Sequence, residues 1–329
     1  MTDLAIILVA WNVRGVILNA LRTIFDDVKT AGLDALVYVV DNGSSDGTLE
    51  AIRADFPAVR LLAQSENLGF AAANNVALRE LGFCDDPMPN PTGPGAVFLL
   101  NPDTLVQPGA LRILWDALFS LPHAGLLGAQ LAYEDGSFQH GAFGFPGLWQ
   151  IVIDLFPVPG RLYESRLNGR YSRQRYSGGK PFPVDHPLGA TMFLRREAIE
   201  ETGLFDEQFF MYCEEIDWSI RIKRAGWQIY CVPQARITHL EGRSTSQVRP
   251  RSIVNLWSSR LRLYAKHYSS PKLAVARLLV RAGMQRKIRL IQRDGSVASQ
   301  EREALVRACE QVIAMAASGS VGPGSDNRQ

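Results

Sequence analysis

Over the first 120 residues, short continuous apolar runs alternate with stretches whose apolar positions recur every three or four residues. The runs at 4–10 (LAIILVA), 36–40 (LVYVV), 59–63 and 96–100 (AVFLL) have the length and composition of buried strands. Between them, 16–28, 48–54 and 70–80 carry helical spacing. The second of these opens on the cap-rich turn Asp41-Asn42-Gly43-Ser44-Ser45-Asp46-Gly47-Thr48, and the third on Asn67-Leu68-Gly69-Phe70. A Pro/Gly stretch at 84–95 reads as a loop. This alternation predicts an α/β fold, a mostly parallel Rossmann-like sheet flanked by helices. Beyond about residue 130 the pattern weakens, and 136–182 reads as a long, partly mobile loop of aromatics, Gly, Pro and Arg. Strands are predicted again at 189–194 and 227–232. A helix at about 214–225 starts on acids, ends on Arg221, Lys223 and Arg224, and stops at Gly226. Residues 252–293 have basic amphipathic helical spacing, and 316–329 have the composition of a disordered tail.

The 329 residues are 47% hydrophobic and 21% charged, ordinary for a globular enzyme. No apolar run reaches the roughly 18–20 residues that a membrane-spanning helix needs. The acidic start of MTDLAIILVA reads as a first strand and not as a signal peptide. Four cysteines (Cys84, Cys213, Cys231, Cys309) form no CxxC pair, which argues against a zinc site or disulfide framework and for a cytoplasmic protein. The net charge of +2 hides an asymmetry: 1–241 hold 19 Lys/Arg against 28 Asp/Glu, while 242–293 hold 13 basic residues and no acid. An acidic body joined to a basic segment implies a second task with an anionic partner.

Ligands of an open parallel sheet bind beyond the carboxyl ends of its strands. Three predicted strands end in polar or acidic groups: Trp11-Asn12, Asp41-Asn42 and Asn101-Pro102-Asp103. The turn after the first strand lacks GxGxxG, and no GxxxxGK[ST] loop exists, which sets aside NAD enzymes and P-loop NTPases. Either Asp41 or Asp103 alone is an ordinary cap or turn former. Together at neighbouring strand ends they suggest a shared ligand. Hard oxygen donors of this kind suit Mg2+ or Mn2+ bridging a phosphate-bearing substrate.

These stretches, with Phe98-Leu99-Leu100-Asn101-Pro102-Asp103 and Asn74-Asn75, resemble the inverting family 2 glycosyltransferases of GT-A fold. Gly189-Ala190, Arg195-Arg196-Glu197, Gly203-Leu204-Phe205-Asp206-Glu207, Phe210-Met211-Tyr212, Glu214-Glu215-Ile216-Asp217, Ala225-Gly226-Trp227 and His239 resemble the family's acceptor side. The order, with its basic extension, is most similar to the rhamnosyltransferase-like branch of bacterial cell-surface polysaccharide synthesis. The resemblance implies a GT-A domain over 1–245, with a donor half to about 130 and an acceptor half over 131–245. A basic helical extension (246–315) and the tail (316–329) follow.

By the resemblance, Trp11, Asn12, Asp41, Asn67, Asn74 and Asn101 line the donor, a dTDP- or UDP-sugar such as dTDP-rhamnose, with Asp41 on the pyrimidine. Asp103 and His239 hold the metal. Glu215 is the general base, standing where the family usually has Asp, and Asn101 replaces the first Asp of the DXD-type motif. Glu214, Asp217 and Arg243 are assigned to the acceptor or to positioning. The aromatic- and Arg-rich 143–182 suits a glycan or lipid-linked acceptor, and Tyr171 and Tyr176 are among its candidates.

Trp257, Leu261, Leu263, Tyr264, Leu273, Leu278 and Leu279, interleaved with Arg and Lys, fit helices lying on an anionic membrane surface. The alternative is a cationic helical pair packed on the acidic body or on a second subunit of a homodimer. No nucleic-acid module is present. Rival functions are a nucleotidyltransferase, which needs a basic Gly-rich loop that is missing here, and a non-catalytic sugar- or polyanion-binding protein.

Overall fold

A computed structural model describes residues 2–240, 249–296 and 298–318. The first half runs β1 (Leu4–Ala10), α1 (Arg14–Ala31), β2 (Ala35–Asp41), α2 (Thr48–Asp55), β3 (Arg60–Ala63), α3 (Phe70–Glu80), β4 (Ala96–Leu100), β5 (Thr104–Val106), α4 (Ala110–Ser120) and β6 (Ala124–Ala132). Then come β7 (Phe138–Gln139), β8 (Ala142–Phe143), α5 (Leu148–Leu155), α6 (Arg173–Ser177), β9 (Phe182–Pro183), β10 (His186–Pro187), β11 (Thr191–Arg195), α7 (Arg196–Thr202), α8 (Glu214–Arg224) and β12 (Gln228–His239). Three helices close the chain: α9 (Arg249–His267), α10 (Ser270–Arg293) and α11 (Ser299–Ser318).

The main sheet has the order β3-β2-β1-β4-β11-β6-β12-β5, with β7 on β6 and β9 on β12. β1, β2, β3 and β4 are parallel, and β11 runs against both β4 and β6. Both faces of the sheet are covered, so alternate residues of β1 enter different cores. Leu4, Ile6 and Leu8 join one cluster, and Ala5 and Ile7 the other. This is why the strand reads as an unbroken apolar run.

The acceptor half is more ordered than 136–182 suggests. That span contains β7, β8, α5, α6 and β9, elements too short to leave a period in the sequence. Tyr171 and Tyr176 are 5% and 3% exposed and belong to the second core, so they are not acceptor contacts. The arginines there lie over their own neighbours: Arg170 over Phe143, Arg173 over Phe138 and Arg166 over Tyr171. Residues 233–239 extend β12 beyond the strand expected at 227–232, past a register shift between Val232 and Arg236.

A third core joins α5 to the C-terminal helices. Ile151 and Leu155 pack with Trp257, Leu261, Tyr264, Val280, Met284 and Val312. Trp257, Leu261, Leu263 and Tyr264 are therefore interior residues and not a membrane face, because a helix with two packed sides has none to spare. Cations of α9 pair with the body: Arg260 with Asp154 at 2.5 Å, and Lys266 with Asp206 at 2.7 Å. α11 continues through Ser318, past the expected start of the tail at 316, and 319–329 lie outside the described residues. No described helix is long and apolar enough to cross a membrane.

Candidate active site

The strand directions bring the carboxyl ends of β1, β2, β4 and β12 and the amino end of β11 to one edge of the sheet. Asp41 ends β2 at 3% exposure. Its Oδ2 accepts from the Ser44 amide at 3.1 Å, while Oδ1 is buried with no partner. A buried acceptor without a donor is costly, so this atom marks where a ligand N–H fits.

Asn12, in the left-handed region at φ +53°, accepts from the Ser45 amide at 2.8 Å and donates its own amide to Ser44 Oγ at 2.9 Å. It shapes the 43–48 turn, beside the half-buried Trp11. Asn67 Oδ1 accepts from Asn42 Nδ2 at 3.1 Å and from the Gly69 amide at 2.9 Å. Asn74 Nδ2 donates back along α3 to the Phe70 carbonyl at 2.9 Å. These two asparagines build the wall, with Asn67 Oδ1 and Asn74 Nδ2 engaged by the chain. Gly69 is required: at φ +84° its Cβ position lies 2.2 Å from the Phe210 carbonyl oxygen, which accepts from the Phe70 amide at 2.8 Å.

Asn101 donates its amide to the Ala190 carbonyl at 3.0 Å, with its side chain half-buried. Asp103, 5% exposed, holds Oδ1 3.4 Å from Nε2 of His239, the 6%-exposed end of β12. The second ring nitrogen, Nδ1, meets Gln139 Oε1 at 3.3 Å. A carboxamide oxygen only accepts, so the tautomer in which Nδ1–H donates to Gln139 leaves Nε2 available to a cation shared with Asp103. Two Lewis bases facing each other in a buried site fit a divalent cation. No third His, Cys, Asp or Glu completes a cluster among the described residues, which suits an ion that takes further oxygens from phosphate and water. Gln139 was missed in the sequence because it sits in the aperiodic stretch. Arg243 lies outside the described residues.

α8 opens after two successive non-glycine residues in the left-handed region, Tyr212 (φ +70°) and Cys213 (φ +68°). Burial lifts the Glu215 carboxyl to about 7, against the pull of the Cys213, Glu215 and Ile216 amides. Glu214 is raised well above the usual carboxylate range by burial and by Glu215 beside it, and its Oε2 has no partner. Asp217 behaves oppositely: Arg221 (3.0 Å), Lys266 (2.8 Å) and His267 (2.7 Å) hold it at about 2 despite complete burial. It is a packing anchor turned toward α9. Glu215 lies over Gly189, where a Cβ would meet its Cγ at 3.6 Å. Gly189 precedes Ala190, the partner of Asn101, so a short chain of contacts runs from Glu215 to the Asp103 segment.

The two halves are joined by Asn75, which the sequence grouped with Asn74 in one motif. Its carboxamide donates to the Phe205 carbonyl (2.9 Å) and Glu207 (3.0 Å) and accepts from the Phe205 amide (3.1 Å).

Residues 2–254 match the family model described as Glycosyltransferase like family 2. The chain belongs to this family. It is a glycosyltransferase, an enzyme of hexosyl transfer. It is 34% identical over 211 residues to the N-acetylglucosaminyl-diphospho-decaprenol L-rhamnosyltransferase of Mycobacterium tuberculosis, covering 64% of this chain and 68% of that one. It is also 25% identical over 192 residues to the low-salt glycan biosynthesis hexosyltransferase Agl10 of Haloferax volcanii, 56% of this chain and 52% of the relative. The fold is similar to that of the mannosyltransferase PcManGT from Pyrobaculum calidifontis, solved with GDP-Man and Mn2+. There the TM-score is 0.56 at 17% identity, covering 97% of this chain and 88% of that one. The GT-A expectation holds.

Proposed function

We propose that this family 2 enzyme transfers a sugar, with inversion, from a dTDP- or UDP-sugar to a hydroxyl of a lipid-linked glycan in cell-surface polysaccharide synthesis. dTDP-rhamnose is the favoured donor, in line with the activity named for the mycobacterial relative. The observation that carries the reading is Glu215, a carboxyl near neutrality without a cationic partner among the described residues, linked through Gly189–Ala190 to the edge that bears Asp103 and His239.

In this reading Asp41 Oδ1 accepts the imide N–H of the pyrimidine, the donor that its lone buried oxygen lacks. Asp103 and His239 Nε2 hold Mg2+ or Mn2+, and Gln139 keeps the imidazole in the tautomer that ligation needs. The bound cation neutralises charge developing on the departing diphosphate. Glu215 takes the proton from the acceptor hydroxyl as that oxygen attacks the anomeric carbon. Burial and Glu215 beside it raise Glu214 well above the usual carboxylate range, which favours Glu215 as the carboxylate that serves as base.

The reading also sets the enzyme on the cytoplasmic membrane face through α10. Its outer side exposes Val275 (44%) and Leu278 (63%), with Arg281, Arg289 and Arg293 further along, and the helix contains no acid. Apolar side chains ringed by arginines suit an anionic bilayer.

Thermal stabilisation by nucleoside diphosphates, with and without Mn2+, followed by a transfer assay on an undecaprenyl-diphospho-sugar, tests the proposal. Stabilisation by dTDP or UDP that grows with Mn2+, and product of inverted configuration, are expected. Indifference to every pyrimidine diphosphate would overturn it.

A further inference from the structure

We infer that α9 is a working part of the active site, a splint whose one face holds the 206–217 segment in the conformation that presents the base. This rests on Glu215 serving as that base. The family match ends at residue 254, and nearly all the contacts below come from beyond it.

The segment needs holding. Tyr212 and Cys213 both sit in the left-handed region, at φ +70° and +68°, where a Cβ is crowded by the backbone. Such strain persists only where the surroundings enforce it. α9 meets the segment along a single stripe of helical spacing. Ser252 bonds to the Tyr212 hydroxyl. Ser259 Oγ donates to the Met211 carbonyl at 2.7 Å, inside the strained turn. Arg262 donates to Gln208 Oε1. Leu263 packs with Phe209, Cys213 and Ile216. Lys266 bridges Asp206 (2.7 Å) and Asp217 (2.8 Å), and His267 caps Asp217 at 2.7 Å.

Residues 252, 259, 263 and 266 recur every three, four or seven positions, so they share one side of the helix. The opposite side, with Trp257, Leu261 and Tyr264, packs into the third core. Two faces thus separate two roles: one anchors the helix, the other shapes the catalytic turn. Asp217 is the link, being two residues beyond Glu215 in the first turn of α8. Ser259 and His267 are positioning residues: they act through Met211 and Asp217 on Glu215, whose titration is set by burial against the backbone amides of Glu215, Ile216 and Cys213.

Hydrogen exchange and steady-state kinetics on full-length Ser259→Ala and His267→Gln test the assignment, with Leu261→Ala as the control on the other face. Losing one buried hydrogen bond predicts exchange about tenfold faster in 206–217, and kcat lowered about tenfold with donor KM within twofold. Greater access of water to Glu215 also moves the acid limb of kcat to lower pH. Ser259→Thr restores both. Leu261→Ala lowers the melting temperature without moving the pH limb. Unchanged exchange in 206–217, or the same shifted limb in Leu261→Ala, would overturn the splint. Glu215→Gln separates the premise: if it stays active, the base assignment fails while the exchange result still decides whether α9 braces the turn.

Discussion

Glu215 and Asp217 stand two residues apart on one helix, yet burial leaves the first near 7 while a hydrogen bond to His267, together with Lys266 and Arg221, holds the second near 2. The difference lies in partners and not in burial. In the proposed mechanism the ionised form of Glu215 is the active one, so kcat/KM should rise with pH through about 7 and fall below it. Glu215→Gln should lower kcat by about 10²–10⁴, abolish that limb and leave nucleoside diphosphate affinity within twofold. For Asp217 the sign is the reverse of a raised carboxyl. Its depressed value adds stability that is present above the usual 3.8 and lost as pH falls toward 2. Denaturant midpoints of Asp217→Asn should show a flattened acid limb between about pH 4 and 2. Gln139→Leu removes the acceptor that fixes the His239 tautomer, and Mn2+ affinity measured by calorimetry should fall about 10–100-fold. Asp41, Asp103 and Glu215 were legible because strand ends and helix starts carry recognisable motifs. Gln139 was not, since only the folded pairing of β7 with β6 brings it to His239.

At the scale of elements, the sheet and its flanking helices followed from alternating periods, whereas 136–182 did not, because two-residue strands have no period to read. Helical spacing in 252–293 showed that the helices have faces without showing what each face meets. The inward side of α9 was therefore mistaken for a membrane face, and the outward side of α10 remains for that role. Val275→Asp with Leu278→Asp should abolish pelleting with vesicles of phosphatidylglycerol while leaving transfer to a water-soluble acceptor intact. Pelleting that survives both changes would remove α10 from the membrane. Gly69→Ala forces a Cβ onto the Phe210 carbonyl and should lower stability by about 2 kcal/mol or more, read as a shifted urea midpoint.

Taken whole, the described residues form three large cores and a small cluster around Phe209 and Leu263, and the third core borrows Ile151 and Leu155 from mid-chain. A chain cut at residue 254 should therefore lose soluble yield, with those side chains uncovered. The acidic body and basic extension are divided labour at close range: α9 spends Arg260 and Lys266 on the body and α10 turns Arg281, Arg289 and Arg293 outward. One amide side chain carries a broader meaning. With both hydrogens and its oxygen engaged across some 130 positions of sequence, Asn75 rivets two lobes against opening like jaws. The catalytic chamber is then cast before any visitor arrives, and which hydroxyl is glycosylated becomes a matter of what the mould admits.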